Sequence, residues 1–164
     1  MDSAMTKAPL GGEKRDPIRR AKKGVKRSLL TEGHGVPLGV VAAANPHDKP
    51  LVEATIDSRP VTPPPHDAFK QNLCMEKGYD FRDTETLVED KGFIPHIRAR
   101  DEEINLKNTI PRYRARRWVV ERTHSWMNKF SRILIRWEKR AENYLAFLHI
   151  ACAIITLRAC EVFE

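Results

Sequence analysis

The sequence predicts an α/β domain in which helices flank a mixed β-sheet. Strand-like and helix-like segments alternate between residues 36 and 98, a glycine-containing hairpin precedes them, and two long helical segments close the chain. The β-α-β-α-β alternation favours parallel pairing of the later strands, joined by right-handed crossovers.

Each element follows from local chemistry. KKGVKRSLLT at 22–31 reads as a strand. EGHG at 32–35 turns the chain, and VPLGVVAAAN at 36–45 returns it, with Pro37 tolerable at a strand start. HDKPLVEATIDS reads as a helix with Leu51, Val52 and Ile56 on one side, and the four prolines of RPVTPPPHD make 59–67 a loop. NLCMEKG at 72–78 is a short apolar strand, DFRDTETLVEDKG a helix stopped by Gly92, and FIPHIRAR another strand. After a polar connection at 101–111, long helices are expected at about 112–136 and 140–162. The apolar run YLAFLHIACAIITL, 14 residues at 144–157, falls short of the roughly 20 a membrane span needs. It reads instead as a buried helix, with His149 a satisfied core histidine.

Composition bounds the function. The 164 residues, 41% apolar and 31% charged, fit one soluble domain over 1–164 rather than a disordered chain. The net charge of +7 is unevenly spread. Residues 14–27, the start of a basic hairpin over 14–43, carry eight Lys/Arg against one Asp, and 112–140 carry ten against two Glu. Such blocks point to a polyanion, nucleic acid before membrane, although solvated helix faces and a basic tail give the same count. Three cysteines, Cys74, Cys152 and Cys160, make no C-x-x-C pair. They fit buried thiols in a reducing cytoplasm, and MDSAMTKAPLGG lacks the apolar segment of a signal peptide.

The stretch RWVVERTHSWMNKF at 117–130 poses the functional question. On a helical wheel Val119, Trp126 and Phe130, continued by Ile133 and Trp137, gather on one side. The opposite side reads Arg114, Arg117, Glu121, His124, Asn128, Arg132. One acid thus interrupts a cationic stripe. By itself it fits an Arg117–Glu121 surface pair worth about 0.2–0.5 kcal/mol, or a metal ligand at a nucleic-acid backbone. Glu76, at the exit of NLCM, falls where polar groups at strand carboxyl ends converge on a crevice. Asp2 lies too near the terminus for pattern reasoning to place. Trp118, Trp126 and Trp137 could stack on bases, with Trp126 and Trp137 better suited to a core. Lys22, Lys23, Lys26 and Arg27 suit either a phosphate grip or a solvated edge, and His47 and Asp48 suit a helix cap.

LGGEK, GVKRSLLTEGHGVPLGV, AN-x-HD, CMEKGYD, PHIRAR and the long block RRWVVERTHSWMNKFSRILIRWEKRAENYLAFLHIACAIITLR follow in this order along nearly the whole chain. Together they resemble the catalytic domain of a bacterial insertion-sequence transposase of the insertion sequence five group. The resemblance implies an RNase H-like fold and a triad of two aspartates and a glutamate holding two divalent ions, Mg²⁺ or Mn²⁺. Carried over by position, the acids are Asp2, Glu76 and Glu121. Asp80 is the substitute should Glu76 not serve. The implied DNA contacts are Lys26, Arg114, Arg117, Arg122, His124, Lys129 and Arg132. The implied partners are the element's terminal inverted repeats, target DNA, and a second copy or an upstream transposase part, with no membrane.

Two departures bear on activity. The family's second aspartate is Glu76 here, longer by about 1.5 Å where productive sites hold to roughly 0.5 Å. Asp2 stands at the start of the chain, so the first strand is expected to be largely missing, as in an amino-terminally truncated domain. A catalytic domain of reduced activity and a non-catalytic DNA-binding regulator both remain open. A basic RNA-binding protein finds no recognition motif to support it.

Overall fold

The computed structural model describes residues 1–13, 16–18, 22–44, 49–61, 71–79, 82–97, 108–109 and 118–161, with backbone alone at 16–18, 22–23, 49 and 77. Strands β1 (Asp2–Lys7), β2 (Asp16–Ile18), β3 (Lys22–Thr31) and β4 (Pro37–Ala43) form an antiparallel sheet around β3. β5 (Gln71–Met75) and β6 (Phe93–Ile97) pair in parallel. Helices α1 (Lys49–Asp57) and α2 (Arg82–Asp90) precede and connect that pair. Helices α3 (Trp118–Met127), α4 (Ser131–Leu134) and α5 (Ala141–Ala159) follow. The result is a mixed α/β architecture, but among the described residues the expected single mixed sheet is divided into an antiparallel four-stranded sheet and a parallel pair.

β3 sorts its side chains by the period of two that any strand imposes. Val25 and Leu29 pack with Val120 and Met127 of α3 and with Tyr144, Leu148, Ala151 and Ile155 of α5. Leu30 faces the opposite way and joins Val52 and Ile56 of α1, Leu73 and Met75 of β5, Val88 of α2 and Phe93 of β6. Ser28, also buried, accepts a 2.8 Å hydrogen bond from Thr55 of α1. β3 is therefore covered on both faces. Gly39 of β4 lets α1 come this close: a Cβ there would stand 2.7 Å from the Thr55 carbonyl oxygen.

The first strand is present. β1 pairs with β3 over six residues, from Asp2 opposite Leu29 to Lys7 opposite Gly24. The Met1 α-amino group donates to the Cys74 carbonyl of β5 at 2.6 Å, and Met1 is buried in the core shared with β5 and β6. The expectation of a largely missing strand is thus corrected: β3 supplies a partner for each residue of β1.

The helix expected over about 112–136 is broken. Residues 111–117 lie outside the described residues, and α3 ends at Met127 in a tightened turn, Lys129 N–H to Trp126 and Phe130 N–H to Met127. After α4 the chain runs extended, because Ile135 bridges Lys7 and the Arg136 N–H donates to the Lys7 carbonyl at 2.8 Å. Pairing with β1 wins over helical continuation. The buried side of α3 also differs from the expected stripe: Val120, Thr123, His124 and Met127 face inward, while Trp137 is 44% exposed. In α5 the buried stripe is Ala141, Tyr144, Leu148, Ala151 and Ile155. His149 is exposed rather than in the core, and so is Cys160. Among the described residues no helix is long and apolar enough to cross a membrane.

Arg136 is wholly buried without a carboxylate on its guanidinium. It donates to three main-chain carbonyls, those of Glu138 (2.8 Å), Glu13 (2.7 Å) and Lys139 (2.9 Å). These bonds staple the turn after β1 to the segment entering α5. Arg136→Met strands three buried acceptors, and should lower stability by about 3 kcal/mol or more. A reduced urea midpoint with unchanged m-value is the expected measurement.

Candidate functional site

Opposed residues of an antiparallel pair project to the same face, so the Asp2–Leu29 register turns Asp2 toward α3 and α5. Glu76 follows β5 directly, ahead of a single 3-10 turn at Lys77–Tyr79. Glu121 occupies the first turn of α3, next to buried Val120, and faces solvent. Asp2 is half-buried and Glu76 exposed. Burial is the first cause that pushes the Asp2 carboxyl up, to about 6. The negative charges of Glu76 and Glu121 push it further, against the Ser3 N–H bonded at 2.7 Å and the Met1 ammonium. Both glutamates therefore act on Asp2, from two separate elements. As the side chains stand, no group of three or more His, Cys, Asp or Glu among the described residues is gathered tightly enough to hold a metal ion.

The cations divide into those held inside and those left outside. His124 is only 6% exposed, and its Nδ1 accepts a 3.2 Å bond from Arg27 Nε. Burial first, and the Arg27 charge second, push its pKa down to about 3. It is a neutral interior ring, so the expected phosphate contact at His124 is corrected. Arg27 is 2% exposed and likewise unavailable to a phosphate. Arg122 is stacked between the rings of Trp118 and Trp126, 4.4 and 4.7 Å from their centroids, and donates to the His34 carbonyl. That pairing gives Trp118 and Arg122 a structural employment that helical spacing i, i+4, i+8 could have revealed. Lys26 is half-buried, while Lys129 and Arg132 are exposed; Arg132 bridges Glu138 at 2.9 Å. Arg114, Arg117, Asp80, His47 and Asp48 lie outside the described residues.

A second feature escaped the sequence pattern. The Glu32 carboxylate closes the β3–β4 turn by accepting the N–H groups of His34 (2.7 Å) and Val36 (2.8 Å). Thr123 of α3 then donates to the Gly35 carbonyl at 2.7 Å. Gly35 has φ +94°, and a Cβ there would lie 2.9 Å from Thr123 Oγ1 and 3.1 Å from Arg122 Nη2. The turn is thus clamped to the helix that carries Glu121.

Comparison with known proteins decides the family. The model of the transposase DDE domain matches residues 1–156. The chain belongs to this family. It is also 33% identical over 154 residues to a Burkholderia cepacia protein described as "Putative transposase for insertion sequence element IS402", with 89% of this chain and 70% of that protein covered. No solved structure matches.

In this transposase domain the three acids offer only carboxylate oxygens, the donor type that hard divalent cations such as Mg²⁺ prefer. The raised pKa of Asp2 comes first from burial, with smaller contributions from the charges of Glu76 and Glu121. Folded Asp2 holds its proton up to about pH 6, whereas the unfolded carboxyl loses it near 3.8, so its contribution to stability is present below about pH 4 and lost as pH rises to 6. The Met1 ammonium, pushed down to about 6 mainly by burial, acts in the opposite window and adds stability as pH rises from 6 to 8. Without added metal, stability should pass through a minimum near pH 6, followed by chemical denaturation across pH 4–8. Asp2→Asn should abolish the fall between pH 4 and 6 and stabilise the metal-free domain at pH 7 by about 2–3 kcal/mol.

Proposed function

We propose that the chain is the catalytic domain of an insertion-sequence transposase of the insertion sequence five group, with an RNase H-like fold. Its reaction is phosphodiester cleavage and strand transfer on DNA that carries the element's terminal inverted repeats. The observation that supports this best is the match to the transposase DDE domain over residues 1–156, which spans Asp2, Glu76 and Glu121. In this reading Asp2, Glu76 and Glu121 hold two Mg²⁺ or Mn²⁺ ions. Bound there, such ions would supply activation of the entering oxygen and stabilisation of the leaving one.

The chain's own residues supply the placement. Asp2 is carried on a strand fixed by its ladder to β3, and it gives the site its least mobile carboxylate. Glu121 is presented by a helix clamped at the β3–β4 turn. Glu76 and Glu121 are exposed, and each has three rotatable side-chain bonds with which to close on Asp2. Lys26, Lys129 and Arg132, with Arg114 and Arg117, serve the DNA phosphates and set position without reading sequence. Pairing of two element ends calls for a second copy of the domain or another transposase part. A reducing cytoplasm suits the three free thiols.

The extra methylene of Glu76 supports a second reading, a DNA-binding regulator that occupies element ends without cutting them. Incubation with end-bearing DNA and Mg²⁺ or Mn²⁺ separates the two. Metal-dependent nicking should be lost in Glu121→Gln while DNA retention is unchanged; binding with no nicking in either protein favours the regulator. Glu76→Asp should raise the nicking rate, by up to about 10²-fold if the displaced carboxylate limits it.

A further inference from the structure

Arg27 is a buried cation whose hydrogen bonds go to no carboxylate. Its Nε donates to His124 Nδ1 at 3.2 Å, and its Nη2 donates to Asn128 Oδ1 at 2.6 Å and to the His124 carbonyl at 3.4 Å. Its Nη1 has no partner. Burying such a charge costs several kcal/mol of desolvation, which only its hydrogen bonds offset. The three bonds run from the middle of β3 to the second half of α3. Because Arg27 donates to Nδ1, the neutral His124 ring carries its proton on Nε2. That nitrogen is buried without a hydrogen-bond partner. The cluster thus joins α3 to β3, the strand on which β1 is laddered. Two of these elements carry the acids Asp2 and Glu121, and His124 stands one helical turn beyond Glu121.

We infer that Arg27, His124 and Asn128 form a buried latch that fixes α3 against β3, on which β1 is laddered, with His124 a positioning residue that sets the separation of Glu121 from Asp2. The inference rests on the proposed metal-dependent reaction for its purpose, but the latch is a geometric device with its own measurable consequence. Val120 and Met127 give α3 apolar contacts that permit sliding, and Thr123 and Arg122 tie it only to the β3–β4 turn. Directional bonds from Arg27 to His124 and Asn128 hold its second half to the middle of β3. Outer partners that orient metal-binding groups typically change metal affinity by about 10–100-fold when removed.

The test replaces polar latch by apolar filling, His124→Leu with Arg27→Met, so that no buried donor is orphaned. Such exchanges of buried charge for hydrophobic volume are often neutral or stabilising. Nitroxide labels at Met5→Cys on β1 and Ser125→Cys on α3 report the separation of the elements, in a background where Cys74, Cys152 and Cys160 are alanine; Mn²⁺ affinity is measured calorimetrically without DNA. The expected result is a retained melting temperature, a broadened distance distribution and Mn²⁺ binding weakened by about tenfold or more. An unchanged distance distribution overturns the latch whatever the metal does. So does a double variant that fails to fold, since the cluster would then serve the core and not the placement. A broadened distribution with unchanged Mn²⁺ affinity overturns it if Glu121→Gln weakens Mn²⁺ binding in the same assay. Where Glu121→Gln also leaves affinity unchanged, the distances uphold the latch and the failure falls on the proposed metal site.

Discussion

The register of β1 on β3 is the constraint from which the site follows. Asp2 opposes Leu29, and Leu29 points to α3 and α5. A slip of one residue would turn Asp2 to the face packed by α1 and send Met1 toward α3. The register is well specified because both faces of β3 are buried, Val25 and Leu29 on one side, Ser28 and Leu30 on the other. Tyr144 of α5 adds a polar check, donating to Thr6 at 3.0 Å on the face that Asp2 uses. Core packing therefore determines that Asp2 projects on the face of β1 turned toward α3 and α5.

The same packing explains how α3 can carry an exposed acid over an unusually polar interior. Thr123 and His124 are buried beside Val120 and Met127, and each of the two polar groups is answered from the sheet, Thr123 by the Gly35 carbonyl and His124 by Arg27. Polar bonds are directional where apolar contacts are not, so they fix the rotation of the helix about its axis. That rotation sets where Glu121 points. Arg122, stacked between Trp118 and Trp126, lays the neighbouring face against the β3–β4 turn.

Much of this was legible beforehand, and the failures have physical causes. The hairpin at β3 and β4, the apolar side of α1, and the parallel pairing of β5 with β6 follow from periodicity and turn chemistry, which are local. The order of motifs placed the chain in its family. What local pattern could not show was competition from distant partners. Ile135 and Arg136 leave the helix because Lys7 offers them a ladder, 128 or more positions away. His124 reads as one of a cationic stripe because the wheel does not contain Arg27. β1 draws its stability from β3, a partner that lies outside any short window.

The basic charge of the chain also changes meaning once its members are located. Ten Lys/Arg between 112 and 140 suggest one continuous polyanion surface. Among the described residues, however, Arg136 is wholly inside on carbonyls and Arg122 is committed to two tryptophans and a turn. Arg27, from the other basic block, is interior as well. Lys129, Arg132, Lys139 and Arg140 remain exposed. Counting charges overstates the DNA-facing surface, because arginine, with five donors and a weakly hydrated planar head, is also the residue best suited to satisfy interior acceptors. The same side-chain chemistry serves two ends here: outside it presents charge to solvent, and inside it ties β3 to α3 and the turn after β1 to the segment entering α5.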